Sequence, residues 1–100
     1  MKVYTIRWSA RAWAEVEEIR AYLGPGLAGM LDTELELVTE RLSANPELAP
    51  RAWWRAKRHP RVRRLVLLRC PFHLYYAVEH EKKGIVILSV WHERRMPPKL

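Results

Sequence analysis

The fold of this chain is decided by one stretch, residues 61–97, RVRRLVLLRCPFHLYYAVEHEKKGIVILSVWHERRMP. Three apolar runs of strand length are separated by Cys70-Pro71 and by a charged turn that ends at Gly84. Their period is two. Val62, Arg64, Val66 and Leu68 share one face of the first run, and Phe72, Leu74, Tyr76 and Val78 one face of the second. In the third, Ile85, Ile87, Ser89 and Trp91 oppose Val86, Leu88 and Val90. Strands joined by such short breaks predict an antiparallel meander. Both of its faces are partly apolar, so one must be covered by the rest of the chain and the other is thinly covered or open to a partner.

Upstream, residues 45–60 carry Pro46, Pro50 and Pro60 without any period, which predicts a loop. Before it the period becomes helical. Leu27, Leu31, Leu35, Val38 and Leu42 recur at four, four, three and four residues, with Asp32, Glu34, Glu36, Glu40 and Arg41 around the rest of the circumference. Gly24-Pro25-Gly26 separates this helix from another over residues 10–23, whose stripe is Ala12, Val16, Ile19 and Leu23, flanked by Trp13 and Tyr22. Ser9 is a plausible N-cap for that first helix, and residues 2–8 alternate as a strand. The order is β-α-α-β-β-β, an α+β arrangement in which a helical hairpin covers one face of a sheet. One domain over residues 1–100 is expected from the length, with five Trp to fill its core.

The net charge of +7 is unevenly distributed. Residues 1–50 hold five Lys and Arg against eight Asp and Glu, and residues 51–100 hold thirteen against three. A second half this basic favours an acidic protein or a polyanion as partner. Cys70 is alone, so a disulfide framework and a multi-cysteine metal site are excluded and a reducing compartment is expected. MKVYTIRW enters a strand pattern at once and no apolar run approaches the ~20 residues of a membrane span, which predicts a soluble, intracellular protein.

The basicity peaks between Arg51 and Arg64, where Arg51, Arg55, Lys57, Arg58, Arg61, Arg63 and Arg64 occur with no acid among them. That density suits contact with an acidic segment or nucleic acid, while Trp53 and Trp54 suit packing onto the domain edge more than base stacking. Arg64 is as well suited to a salt bridge with a helix carboxylate as to a catalytic role. His59 and His80 fall in predicted turns and face solvent, and His73 is a core or edge histidine. Four scattered His and one Cys lack metal-ligand spacing, so no metal is expected. Cys70, preceding Pro71, reads as a packing residue rather than a nucleophile. Tyr75 and Tyr76 point to opposite faces, so at most one can serve a site.

Several of these segments together resemble the RelE/ParE superfamily of type II toxins. They are the strand ending in Trp8-Ser9-Ala10, the helix with Ile19 and Tyr22, the helix closing at Leu42 before Asn45-Pro46, and Val62-Arg63-Arg64-Leu65. The most specific are Pro71-Phe72-His73-Leu74-Tyr75-Tyr76 and Val90-Trp91-His92-Glu93-Arg94-Arg95-Met96-Pro97, which are similar to elements of the ParE branch. The resemblance implies a two-layer RelE/ParE-like fold, a helical hairpin packed on a four-stranded, mainly antiparallel sheet with the first strand beside the last. It implies a cytoplasmic, growth-arresting toxin without a cofactor, neutralised by a cognate ParD-like antitoxin. ParE members poison DNA gyrase, whereas RelE members cut mRNA in the ribosome.

Metal-free RNA cleavage needs a base for the 2′-hydroxyl, an acid for the leaving oxygen and cations around the phosphate. RelE-like enzymes draw these from Lys, Arg and a late Tyr or His. Here His73 occupies the third-strand position where RelE proteins commonly place Arg, and no Tyr follows Tyr76. These departures favour the ParE reading, with Arg61, Arg63, Arg64, His92, Arg94 and Arg95 as the target- or partner-binding residues. Under the RelE alternative, His73, His92, Arg64 and Arg94 would supply catalysis. A third alternative is a module of the same fold that only binds its antitoxin. The physics of an apolar groove beside a basic sheet edge suggests an amphipathic, acidic helix or strand as the antitoxin element.

Overall fold

Ser9 starts the helical layer. Its backbone is extended (φ −68°, ψ 157°) and its hydroxyl oxygen accepts from the Ala12 N–H at 3.0 Å, satisfying one of the first amides of the helix. The structure, a computed structural model, describes residues 3–52, 61–96, 98 and 100. Within them lie β1 (Thr5–Trp8), α1 (Ala10–Ala44), β2 (Val62–Val66), β3 (Phe72–Glu79) and β4 (Gly84–His92), with a short 3₁₀ turn at His80–Lys82.

α1 is two arms broken at Gly24, whose φ of +81° and ψ of 173° suit glycine alone. Pro25 then opens the second arm, where a missing N–H costs nothing because the first amides of a helix lack partners anyway. The break is therefore narrower than Gly24-Pro25-Gly26, and the second arm begins before Leu27. This changes which residue faces inward: Ala28 is buried and Leu27 is exposed. From Leu31 onward the expected stripe holds, and Arg20 pairs with Asp32 to tie one arm to the other.

The sheet order is β1-β4-β3-β2. β2, β3 and β4 form the antiparallel meander that the period of two indicates, and β1 lies parallel to β4, making the sheet mixed. Leu31, Leu35, Val38 and Leu42 of the hairpin pack against Leu74, Tyr76, Ile85 and Ile87 of the sheet. Each such side chain contributes about 1.5–3 kcal/mol by leaving water. A smaller cluster lies on the other face, where Ala52, Val62 and Tyr75 meet Leu88, Trp91 and Leu100. The far face is thus partly covered by the chain itself.

One strand departs from its expected phase. Tyr75 pairs with Ser89 but Tyr76 pairs with Ile87, so Leu88 is an extra residue in β4. Such a bulge shifts every later side chain to the opposite face. Val90 therefore joins Ile85 and Ile87 in the main core, and Trp91 joins Leu88 on the far face, the reverse of the simple alternation. Beyond Trp8 the outer edge of β4 is closed by other groups. The Ser9 N–H donates to Ile87 O at 2.9 Å, and the Glu15 carboxylate accepts from the Ser89 hydroxyl at 2.8 Å and the Val90 N–H at 3.1 Å.

The segment after α1 is more ordered than a loop without period suggests. The Tyr76 hydroxyl donates to Pro46 O at 2.9 Å and accepts from the Ala49 N–H at 3.2 Å. Arg51 then makes an isolated antiparallel bridge with Arg63. No helix among the described residues is long and apolar enough to cross a membrane.

Candidate functional site

β2 and β3 bring two of the candidate residues together. Arg64 pairs with Tyr75 and Val66 with His73, so Arg64 and His73 are diagonal neighbours on the far face, roughly 7–8 Å apart by strand geometry. His73 also pairs with Trp91 across β4. Burial lowers the pKa of His73 below the ordinary 6.5, and the positive charge of Arg64 lowers it further, while Glu93 opposes and His92 adds a small push downward. The ring is therefore neutral near pH 7, able to accept a proton beside a fixed cation.

His92 is placed differently. Its ring packs edge-on against Phe72, with centroids 5.3 Å apart, and its Nδ1 accepts from the Arg94 N–H at 3.0 Å. A ring nitrogen that accepts cannot carry the proton, so in the neutral imidazole Nε2 carries it and is the donor. The Arg95 N–H donates to His92 O at 3.2 Å and the Glu93 N–H to Pro71 O at 2.9 Å, which closes residues 92–95 into a turn beside the start of β3. Arg95 stacks over Trp91, its guanidinium carbon 4.0 Å from the ring centroid, and Trp91 Nε1–H donates to Met96 O at 2.7 Å. Arg94 is left exposed at the tip of the turn.

The remaining candidates separate. Arg61 is exposed just before β2, next to Val62. Arg63 is turned inward, its side chain 14% exposed, and it donates to Ala49 O and pairs with Glu47 at 3.9 Å. It holds the residue 46–49 segment against the sheet. Tyr75 and Tyr76 lie on opposite faces as their adjacency demands, both rings are buried, and the Tyr76 hydroxyl is already engaged by Pro46 O and the Ala49 N–H. His80 is exposed as expected, and it also bridges Tyr4, whose hydroxyl lies 2.7 Å from Nδ1, and Glu47, 3.2 Å from Nε2. Cys70 packs partly buried on the core, and burial, with Glu34 beside it, pushes its thiol pKa up, away from nucleophilic use. The roles considered for Trp53, Trp54, Arg55, Lys57, Arg58, His59 and Pro97 fall outside the described residues.

Two carboxylates escaped the sequence reading. Glu15 closes the β4 edge, and Glu34, only 7% exposed, accepts from the Leu68 N–H at 2.6 Å and the Arg69 N–H at 3.1 Å. A signal was available for both. Glu15 stands between Ala12 and Ile19, and Glu34 between Leu31 and Val38, each at the three-and-four spacing of its buried stripe. Beside Glu34, an open groove of about 840 Å³ runs between the second arm of α1 and β2. Its floor is apolar, and Arg41, Arg64 and Arg69 border it.

Comparison with known proteins places this geometry. A family described as the ParE toxin of the type II toxin-antitoxin system parDE matches residues 6–97. Among solved structures, the chromosomal ParDE toxin-antitoxin system of P. aeruginosa is similar at a TM-score of 0.69 and 23% identity, covering 90% of this chain and 96% of that one. The RelBE2 toxin-antitoxin complex of Mycobacterium tuberculosis follows at 0.62 and 21%, covering 89% and 96%. The isolated E. coli RelE toxin is similar at 0.61 and 20%, covering 93% and 87%. At these identities the likeness speaks to the fold. Comparison with curated protein sequences gave no match.

Proposed function

We propose that this chain, which belongs to the ParE toxin family of type II toxin-antitoxin systems, arrests bacterial growth in the cytoplasm by binding and poisoning DNA gyrase. A cognate ParD-like antitoxin holds it in check. The family match over residues 6–97 carries the reading, and the turn of half-buried His92 with exposed Arg94 and Arg95 gives it a surface. That turn is fixed by the Nδ1 hydrogen bond and by the Trp91 stack, so it meets a target without first being ordered, which lowers the entropic cost of binding. Its donors, the His92 Nε2–H and the two guanidiniums, suit an acidic protein surface.

The enzymatic alternative, a RelE-like ribosome-dependent mRNA endoribonuclease, draws on one observation. A neutral His73 diagonal to Arg64 could take a 2′-hydroxyl proton beside a phosphate clamp. Against it, both tyrosines are buried and His92 offers one donor, so a positioned acid for the leaving oxygen is lacking among the described residues. Gyrase binding is the better supported of the two. The third possibility, a non-toxic antitoxin-binding module, shares every feature of the first except the outcome.

Induction in cells with the antitoxin withheld separates all three. DNA breaks and a damage response with intact mRNA are expected. Codon-positioned mRNA cuts without DNA damage would replace the gyrase reading by the enzymatic one, and unimpaired growth would leave only the binding module.

A further inference from the structure

A second cavity, of about 250 Å³, opens between the two arms of α1 at the end of β1. It is a little smaller than the ~300 Å³ at which clefts for drug-sized ligands begin, which suits a small molecule or a single side chain. Two indoles make one corner of it. Trp8 directly precedes the N-cap Ser9 and Trp13 is the fourth residue of the helix, so their contact is a hydrophobic staple. The staple sets the rings at 75° with centroids 6.4 Å apart and keeps them there before any ligand arrives. Trp13 lines the cavity and is still 57% exposed, so the staple leaves much of its π surface uncovered.

Charge sets this cavity apart from the rest of the chain. In a protein of net charge +7, its lining holds Glu17, Asp32 and Glu36 against one cation, Arg20. Arg20 and Asp32 neutralise each other in the ion pair that ties the arms together. The carboxylates of Glu17 and Glu36 have no ion-pair or hydrogen-bond partner among the described residues. Val16 and Leu35, both buried, add an apolar surface between them and the core. Each part selects for the same ligand. Rings at a corner attract a cation through their negative faces, and two unpaired carboxylates add to that attraction. Because the carboxylates also accept hydrogen bonds, they favour a cation bearing N–H groups over a quaternary one. The apolar surface takes an alkyl stem.

We propose that this cavity binds a primary ammonium group on a short alkyl stem, with the ammonium at the Trp8–Trp13 corner and Glu17 and Glu36 as its counter-charges. Two sources present that chemistry, a free aliphatic diamine and a lysine side chain of a protein partner. Nothing in the site depends on the gyrase reading.

The test is an NMR titration of the full chain, read at the indole N–H signals of Trp8 and Trp13, with n-butylammonium and its neutral counterpart n-butanol as probes. Butylammonium is expected to move both signals with a Kd in the millimolar range, and butanol to bind at least about tenfold more weakly. Trp13→Leu keeps an apolar staple and removes the ring face; read at Trp8, it should weaken butylammonium binding about tenfold. Glu17→Gln combined with Glu36→Gln keeps the shape and removes the charge, and the same loss is expected. Putrescine and N-acetyl-lysine amide then separate the sources. Tighter binding of putrescine assigns the site to a free amine, and equal or tighter binding of the lysine amide assigns it to a partner's side chain. Equal binding of butanol, wild-type affinity in the double Gln variant, or unmoved signals at about 50 mM butylammonium would overturn the inference.

Discussion

Removing one oxygen from Tyr76 separates a structural tyrosine from a catalytic one. In Tyr76→Phe the ring, fully buried in the main core, keeps its volume, so no cavity forms. The loss is confined to the hydroxyl, which donates to Pro46 O and accepts from the Ala49 N–H. Each buried group left without a partner costs about 1–3 kcal/mol, and the residue 46–49 segment can relax to recover some of it, so the net expectation is about 2–4 kcal/mol. At about 4–8 °C per kcal/mol for a domain of this size, the melting temperature should fall by roughly 8–32 °C. Tyr75→Phe is the internal control: it is the neighbouring residue on the opposite face, and no hydrogen bond of its hydroxyl is found among the described residues, so it should cost under about 1 kcal/mol. Arg63 holds the same segment through Ala49 O, so Arg63→Ala and Tyr76→Phe should be non-additive in a double-mutant cycle. Urea unfolding at neutral pH measures wild type and the four variants. A Tyr76→Phe loss below about 0.5 kcal/mol, or one no larger than that of Tyr75→Phe, would refute the account. Burial also raises the Tyr76 pKa above 10, so its contribution is complete below pH 10 and is lost as pH rises through the higher folded value.

Four further outcomes are expected. Gly24→Ala meets open space, so its cost is purely that of a side chain at φ +81°, about 1–3 kcal/mol by thermal unfolding. Glu15→Ala strands the Val90 N–H and the Ser89 hydroxyl at the β4 edge and should cost about 2–3 kcal/mol in the same assay. His73, with its folded pKa depressed, contributes stability that is present above pH 6.5 and lost as pH falls through the folded value; in His73→Gln that part of the acid slope should vanish from a denaturant series between pH 7 and pH 4. Paired His92→Ala and Arg94→Ala changes should abolish growth arrest on induction while leaving the melting curve close to wild type, and full toxicity would remove the turn from the functional surface.

The sheet was legible because strands β2 and β3 obey a strict period of two, and each core residue expected on β3 is in the core. The helical hairpin was legible for the same reason, although its break is a single glycine. What escaped the period was everything that depends on one residue more or less. The extra Leu88 reversed Val90 and Trp91, and the early restart at Pro25 replaced Leu27 by Ala28. The candidate site was legible as a region but not as a set of roles. Arg63 and Arg64 are adjacent and chemically alike, yet alternation sends Arg63 inward to Ala49 O and leaves Arg64 beside His73. Glu34 was placed on the polar circumference of its helix and Glu15 was given no contact, whereas unpaired backbone amides at a strand edge and a turn recruit them.

The parallel pairing of β1 with β4 sets a timetable for synthesis. Trp8 lies opposite Ile87, so β1 waits for a partner made 79 residues later. At bacterial or eukaryotic elongation rates this is an interval on the order of 4–16 s. Until then the hairpin has only part of its sheet, and the turn at His92 does not exist. A ribosome therefore carries a chain whose sheet is incomplete throughout that interval, and the turn at His92 takes shape only after β4 has been made.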